Sequence, residues 1–225
     1  MKIFVVGAGK LANAILNADL STEAYLIEKW DNKRPDFNEK AILIHAGSGR
    51  QAKECFKFCS QTKSVLIELS TGLETENQAI DFPLIICPNN SILVLKMLHL
   101  LQQNGTIFSN YNISITESHQ ASKKTEAGTA FAFAKALHFP VNEIESIRDA
   151  EIQKEQIKIP DQYLDRHAYH RIVLRDGNDE IAIETKVLGH QSYVAGIKKI
   201  IEMILTNPLE NKSYTILDFI EQGIL

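Results

Sequence analysis

Within Ser114–Leu137, reading SITESHQASKKTEAGTAFAFAKAL, an acid, a histidine and two lysines stand close together: Glu117, His119, Lys123 and Lys124. An imidazole changes charge near neutral pH and can give or take a proton, while lysines hold negative groups. A few residues on, Gly128-Thr129 open the apolar run Ala130–Leu137, which reads as a helix. A hydroxyl residue just before such a run signals a helix N-cap. The first N–H groups and the positive end of that helix, with two lysines beside them, suit a small anion. The pattern predicts a short strand with Ile113 and Ile115 on one side, then a polar loop carrying Glu117, His119, Lys123 and Lys124, then the helix. Each residue alone reads better as part of a solvated, ordinarily capped loop. The combination points to binding and protonation of an anionic ligand.

A second chemical pattern opens the chain. The compact apolar strand Lys2–Val6 runs directly into GAGKLA, where Gly7, Gly9 and Ala12 fit the dinucleotide fingerprint G-x-G-x-x-G/A. The first glycine makes the tight turn, the second lets a pyrophosphate approach the backbone, and the small third residue lets helix and strand pack closely. The expected cofactor loop is Gly7, Ala8, Gly9, Lys10 and Leu11, followed by a helix with Leu11, Ala14, Ile15 and Ala18 on one face. Ala24–Ile27 reads as the second strand, with Glu28 at its end, where a carboxylate accepts from the adenosine ribose. Lys29 beside it could instead meet the extra phosphate of NADP. The plain alternative is a glycine turn with a surface acid.

These groups must be positioned by the elements around them. Residues 41–45, 65–69 and 83–87 are short apolar runs, and the first two flank a helical pattern over Ala52–Cys59. Strands alternating with helices predict a parallel, doubly wound sheet with ligand at the carboxyl ends of the strands. The turns at those ends are HAGSGR (45–50), STG (70–72) and PNNS (88–91). Cys55 and Cys59 share an apolar stripe with Ala52 and Phe56, which reads as buried thiols rather than a metal or redox pair. Ile92–Gln103 is too apolar for a surface helix and is expected to pack on both sides. Beyond it, Arg171–Arg175 and Glu180–Val187 alternate apolar and polar residues about the turn signal Asp176-Gly177-Asn178, predicting a hairpin. Ser192–Leu205 is amphipathic, and Asn207–Leu225 reads as a closing loop and helix. The expected fold is α/β: an N-terminal Rossmann-type doubly wound parallel sheet plus a second α+β domain with a mixed or antiparallel sheet. The expected domains are 1–91 with 190–225 for the dinucleotide, and 92–189 for substrate and oligomerisation.

Composition narrows the partners. A net charge of −4 argues against nucleic-acid affinity. No stretch reaches the ~20 apolar residues of a membrane span; the best, Ile92–Leu101, contains Lys96 and His99. The N-terminal apolar run is too short for a signal peptide. A cytoplasmic protein without metal, membrane or nucleic-acid partners is expected.

The stretch around His119 resembles the signature of the dihydrodipicolinate reductase (4-hydroxy-tetrahydrodipicolinate reductase) family, E-x-H-H-x-x-K-x-D-A-P-S-G-T-A. Glu117, His119, Lys123, Gly128, Thr129 and Ala130 fall on it. Gln120 replaces the second histidine, Thr125-Glu126-Ala127 replaces D-A-P-S, and the loop is one residue shorter. Ser70, Thr71 and Gly72 resemble the family's T-T-G beside the nicotinamide, and Pro88, Asn89 and Ser91 its P-N-x-S hinge. Thr185, His190, Tyr193, Val194 and Gly196 fall where the family carries a histidine strand end, S-x-R and F-A-x-G-A, so His190 stands for the arginine offered to substrate. His170 matches a family histidine in the first hairpin strand, where a structural role is an equal reading.

The resemblance implies reduction of 4-hydroxy-tetrahydrodipicolinate to tetrahydrodipicolinate in lysine and diaminopimelate biosynthesis, by NADH and/or NADPH. It implies His119 and Lys123 as catalytic residues, and Lys123, Gly128, Thr129 and His190 on a small dicarboxylate. The cofactor would lie on Gly7–Leu11, Glu28, Lys29, Ser70, Thr71, Gly72, Pro88, Asn89 and Ser91, in a homotetramer joined through the second domain's sheet. Glu126 would add negative charge near a dianion. Two other readings stay open: an NAD(H)-binding, non-catalytic paralogue or sensor, and a related Rossmann oxidoreductase acting on another small dicarboxylate.

Overall fold

The computed structural model describes residues 1–31, 38–70, 79–123 and 127–225. They form two compact units, one of Met1–Ile92 with Tyr193–Leu225 and one of Leu93–Ser192.

The first unit is organised by a six-stranded sheet made of β1 (Lys2–Val6), β2 (Leu26–Lys29), β3 (Ile42–His45), β4 (Val65–Glu68), β5 (Leu84–Ile86) and β10 (Ser213–Thr215). Its order is β10-β5-β4-β3-β1-β2, with every neighbouring pair parallel. Every residue of β3 and β4 is buried, which is why these strands read as unbroken apolar runs rather than alternating ones. Helices α1 (Lys10–Asn17) and α2 (Ala52–Thr62) connect the early strands. Phe4, Val6, Leu43 and Leu66 share a core with Cys55 and Cys59, so both cysteines are buried free thiols. Burial first, then the charges of Glu68 and Glu54, push the Cys55 thiol up to about 12, so it stays protonated.

The switch in strand order falls at β1, flanked by β2 and β3, and in such sheets ligands collect outside the carboxyl ends at that point. The second strand begins two residues later than its apolar run suggests, at Leu26, because Tyr25 is spent in the core ahead of it. The closing segment holds more than a loop and helix. Residues Ser213–Thr215 add a parallel strand beside β5 before α7 (Ile216–Glu221), whose start is fixed by a Thr215/Asp218 capping box. Three residues are too few to show a strand period.

The second unit holds a mixed four-stranded sheet of order β7-β6-β8-β9, from β6 (Asn112–His119), β7 (Glu145–Ile147), β8 (His167–Asp176) and β9 (Asp179–Leu188). β6 pairs with β7 in parallel and with β8 antiparallel, and β8–β9 is a hairpin closed by Gly177-Asn178. The positive φ of Gly177, 56°, is what a two-residue hairpin turn of this hand needs. Helix α4 (Gly128–Ala136) contacts β6, and the short α5 (Ala150–Glu155) follows β7. Helix α3 (Ile92–Asn104) corrects an expectation: Leu93 is 82% and Leu100 52% exposed, so it is not packed on both sides. Ile92, Val94, Leu95, Leu98 and Leu101 form its buried side, and Lys96 shares the exposed side with Leu93 and Leu100, too little polarity to mark that face in so apolar a run.

Helix α6 (Gln191–Thr206) is tied to the β5–α3 connection within the first unit. Asn90 donates from its side-chain amide to the Tyr193 carbonyl at 2.8 Å, and a Cβ on Gly196 would fall 1.7 Å from the Asn90 carbonyl oxygen. No side chain fits there without moving backbone. Gly196→Ala is expected to lower unfolding stability by about 2–3 kcal/mol, the cost of overpacking a fitted contact. Urea titration of the wild type and variant checks it.

Candidate functional site

The residues of the opening motif are held on a strand rather than a loop. Glu117 and His119 both belong to β6, because pairing with β8 continues through His119↔Ala168. Their separation by two places them on one face of the sheet. Glu117 is 1% exposed and carries three short contacts. Its Oε2 accepts from His119 Nδ1 at 2.6 Å, and its Oε1 accepts from Ser146 Oγ and Arg148 Nη2, each at 2.6 Å. Burial works to raise the Glu117 pKa, but the bonds from His119, Arg148 and Ser146 outweigh it and bring it to about 2. The carboxylate is therefore ionised at neutral pH, which fixes the Nδ1 hydrogen of His119 and leaves Nε2 as the reactive nitrogen.

A second layer holds this pair. The buried Gln153 of α5 donates to the His119 carbonyl at 2.8 Å, locking the end of β6. The ring of His119 stands edge-on to His170, 5.9 Å between centroids, and His170 stands edge-on to Phe133 of α4 at 5.5 Å. His170 bonds Thr185 through Nδ1 at 2.9 Å, and burial followed by repulsion from His119 takes its pKa down to about 3, so it stays neutral. Ser146, Arg148, Gln153 and His170 do not stand out as a site by sequence spacing. Ser146 reaches Glu117 only through the register Glu117↔Ser146 of a three-residue strand.

Lys123 follows the strand in a short turn, its N–H donating to the Gln120 carbonyl at 3.0 Å. Burial, opposed by the attraction of Glu117 and reinforced by repulsion from Arg148 and Arg166, holds the Lys123 pKa below the usual lysine value. Three cations thus share one field with a single buried carboxylate, a surplus of positive charge suited to an anion. Arg166 is a further member that the motif does not contain, and its backbone carbonyl accepts from Gly189, next to His190. His190 itself lies between β9 and α6 in the same unit.

Helix α4 corrects the capping expectation. Its N-cap is Ala127, with no side-chain cap, and Thr129 sits inside the first turn. A Cβ on Gly128 would meet nothing within 4 Å, so the helix start opens onto space. Lys124 and Glu126 lie outside the described residues.

The first unit repeats this device at the glycine turn. Gly7 has φ 126°, and a Cβ on it would be 2.5 Å from the Ala46 carbonyl oxygen, so only glycine fits. Gly9 caps α1 without a side-chain bond, no acidic residue stands in the first turn, and a Cβ on Gly9 would meet nothing within 4 Å. Ala8, Lys10 and Leu11 surround that open start, which fits a pyrophosphate on the helix N–H groups. Glu28 pairs with Lys2 at 3.3 Å, and Lys29 is exposed. Ser70 accepts from the Ser48 N–H at 3.1 Å, while Thr71 and Gly72 lie outside the described residues. Pro88, Asn89 and Ser91 lie in the β5–α3 connection, where Asn89 Oδ1 accepts from the Ser91 N–H at 2.9 Å.

Residues 94–220, more than half of the chain, match the family model described as "Dihydrodipicolinate reductase, C-terminus". The chain belongs to the dihydrodipicolinate reductase family. It is 31% identical over 129 residues to a probable 4-hydroxy-tetrahydrodipicolinate reductase 2, chloroplastic, of Oryza sativa subsp. japonica, a match covering 54% of this chain and 40% of that relative. Against the 4-hydroxy-tetrahydrodipicolinate reductase of Thermosipho africanus it is 24% identical over 236 residues, across the whole of both chains. The fold is that of a dipicolinate-bound dihydrodipicolinate reductase from Paenisporosarcina sp. TG-14, with TM-score 0.66, 15% identity, and coverage of 96% of this chain and 97% of that one. Family membership makes this an oxidoreductase-family chain. Among the described residues no group of histidine, cysteine and acidic side chains could hold a metal, and no helix is long and apolar enough to cross a membrane.

The Glu117 clamp has a measurable acid limit. Its folded pKa lies below the ordinary value of 4.5, so its stabilisation is present above 4.5 and is lost as pH falls toward about 2. The contribution is on the order of 3 kcal/mol. Denaturant titrations between pH 5 and pH 2 are expected to show that loss in the wild type. A Glu117→Gln variant should be less stable at pH 7 and lack the acid-dependent part.

Proposed function

We propose that this chain is a nicotinamide-dependent reductase that converts 4-hydroxy-tetrahydrodipicolinate to tetrahydrodipicolinate in lysine and diaminopimelate biosynthesis, the 4-hydroxyl leaving as water and hydride and a proton adding to the resulting unsaturated ring. The observation that carries the reading is the Glu117–His119 pair, clamped by Arg148 and placed in one field with Lys123 and Arg166. Such a constellation can supply a proton at a fixed nitrogen beside cations that grip carboxylates, two things reduction of an unsaturated dicarboxylate requires.

One requirement falls on each unit. The first holds NADH or NADPH on the open start of α1 and on Ser70, Asn89 and Ser91, and the bound nicotinamide supplies the hydride. In the second, Lys123 and the N–H groups of Gly128 and Thr129 hold one end of the dianion, and Arg166 with His190 supplies charge that the family obtains from an arginine at position 190. The fixed Nδ1–H of His119 leaves its Nε2 to protonate the site that gains electrons. Glu117 keeps the ring aimed and stabilises it when charged; Arg148 keeps Glu117 ionised through that change. A homotetramer built on the second unit's sheet completes the proposal.

The test is oxidation of NADH and NADPH by purified protein, with substrate made in situ from aspartate semialdehyde and pyruvate by the preceding synthase. His119→Ala is expected to lower kcat by about 10²–10⁴-fold with cofactor affinity retained. Lys123→Ala should raise KM for the dicarboxylate as well as lower kcat. Tight NADH binding without any turnover would refute the assigned reaction and leave a nucleotide-binding protein.

A further inference from the structure

Beneath the first unit's ligand loops lies a second acid–histidine pair that neither the glycine fingerprint nor the family signature contains. His45 ends β3 and Glu68 ends β4, directly opposite in the parallel register, and they are 0% and 1% exposed. His45 Nδ1 lies 2.7 and 2.6 Å from the two oxygens of Glu68, and its Nε2 lies 2.8 Å from the Arg50 carbonyl oxygen. A carbonyl only accepts, so Nε2 carries a hydrogen. Nδ1 faces a carboxylate, which also accepts when ionised. Two acceptors on two ring nitrogens describe an imidazolium held against a carboxylate.

The pair reaches the loops on both sides. Glu68 Oε1 also accepts from the Ser70 N–H at 2.8 Å, and Ser70 Oγ accepts from the Ser48 N–H at 3.1 Å. The loop after β3 is folded over the ring, since a Cβ on Gly47 would come within 2.7 Å of both His45 Nε2 and the Arg50 carbonyl oxygen. That loop holds Ser48 and Gln51 at φ 51° and 65°, left-handed conformations costly for non-glycine residues unless the surroundings fix them. Its other side abuts the glycine turn, where Ala46 leaves room only for Gly7.

We propose that the buried His45–Glu68 ion pair is the positioning element of the nucleotide site, fixing Ala46–Arg50 and Ser70 in the arrangement that receives a dinucleotide, so that cofactor affinity falls when the pair loses its shared proton. The proposal rests on reading the first unit as a dinucleotide site.

The groups around the pair leave His45 as its titrating member. Burial pulls the His45 pKa down, but the bonds to Glu68 and to the Arg50 carbonyl, with the Glu68 charge, outweigh it and raise it above 6.5. Cys55 of α2, within reach of Glu68's charge, stays a neutral thiol, and the Arg50 side chain points to an exposed position. A raised folded pKa means the pair is complete below the ordinary histidine value and is lost as pH rises through the raised one. The limb lies on the alkaline side.

NADH binding to the full chain, followed by nucleotide fluorescence from pH 6 to pH 10, tests this beside the ring-nitrogen NMR shifts of His45. In the wild type, both ring nitrogens are expected to be protonated at pH 6. NADH affinity should weaken by about tenfold through the same midpoint as the His45 titration. Glu68→Gln should bind about tenfold more weakly at pH 6, with the alkaline limb gone and faster amide exchange at Ser48 and Ser70. A purely structural role would lower the melting temperature without moving the pH profile of affinity. The wild-type titration decides the matter even if Glu68→Gln does not fold. NADH affinity indifferent to the His45 titration, or a ring singly protonated at pH 6, overturns the pair's role alone. A wild type that binds no NADH at any pH overturns the nucleotide reading, and this proposal with it.

Discussion

An ionised carboxylate can stay in a protein interior only if cations and donors replace the water it has lost, a substitution otherwise costing several kcal/mol. Glu117 meets that condition with a histidine, an arginine and a serine hydroxyl drawn from two strands and the segment after them. Satisfying it determines much of the second unit. The strand holding Ser146 must lie beside β6, the segment after it must return Arg148, and α5 must bring Gln153 over the end of the strand. The His119 ring is then aimed by the same bonds that keep the acid charged.

The two acid–histidine pairs differ in what else the acid holds. Glu117 retains Arg148 and Ser146 whatever the charge of His119, so that imidazole can gain or lose a proton without stranding a buried charge. Glu68 holds, besides its imidazole, the N–H of Ser70. The first acid has cationic support beyond its imidazole; the second is tied instead to the backbone of a neighbouring loop. Helix ends divide similarly. The starts of α5 and α7 are closed by the side chains of Asp149 and Thr215, whereas α1 and α4 begin at glycine and alanine with no side-chain cap.

Much of this was legible in the chain. Unbroken apolar runs gave β1, β3, β4 and β5, the glycine spacing gave the first turn, and Asp176-Gly177-Asn178 with flanking alternation gave the hairpin. His119 and Lys123 stood out by type and spacing, and both lie in the charged cluster. The remaining contacts depend on long-range register. Ser146 and Arg148 meet Glu117 across some thirty residues of sequence, and His45 meets Glu68 only because β3 and β4 are neighbours. Glu117 and His119 resemble loop residues in the sequence because polar side chains on a strand mimic a loop when their partners lie far along the chain. The hydroxyl of Thr129 suggests a cap, yet the helix starts a residue earlier.

The strand β10 has a consequence for how the chain acquires its shape. The first unit's sheet ends at β5 until Ser213–Thr215 arrive, while residues 93–192 are contiguous and hold their own sheet. During synthesis from the N-terminus, β5 therefore presents an unpaired edge throughout the making of the whole inserted unit. The inserted unit has all its strands in hand while the first still waits for its last one. Completion of the first unit's sheet therefore follows synthesis of the inserted unit, and until then the edge of β5 is open to pairing with another chain.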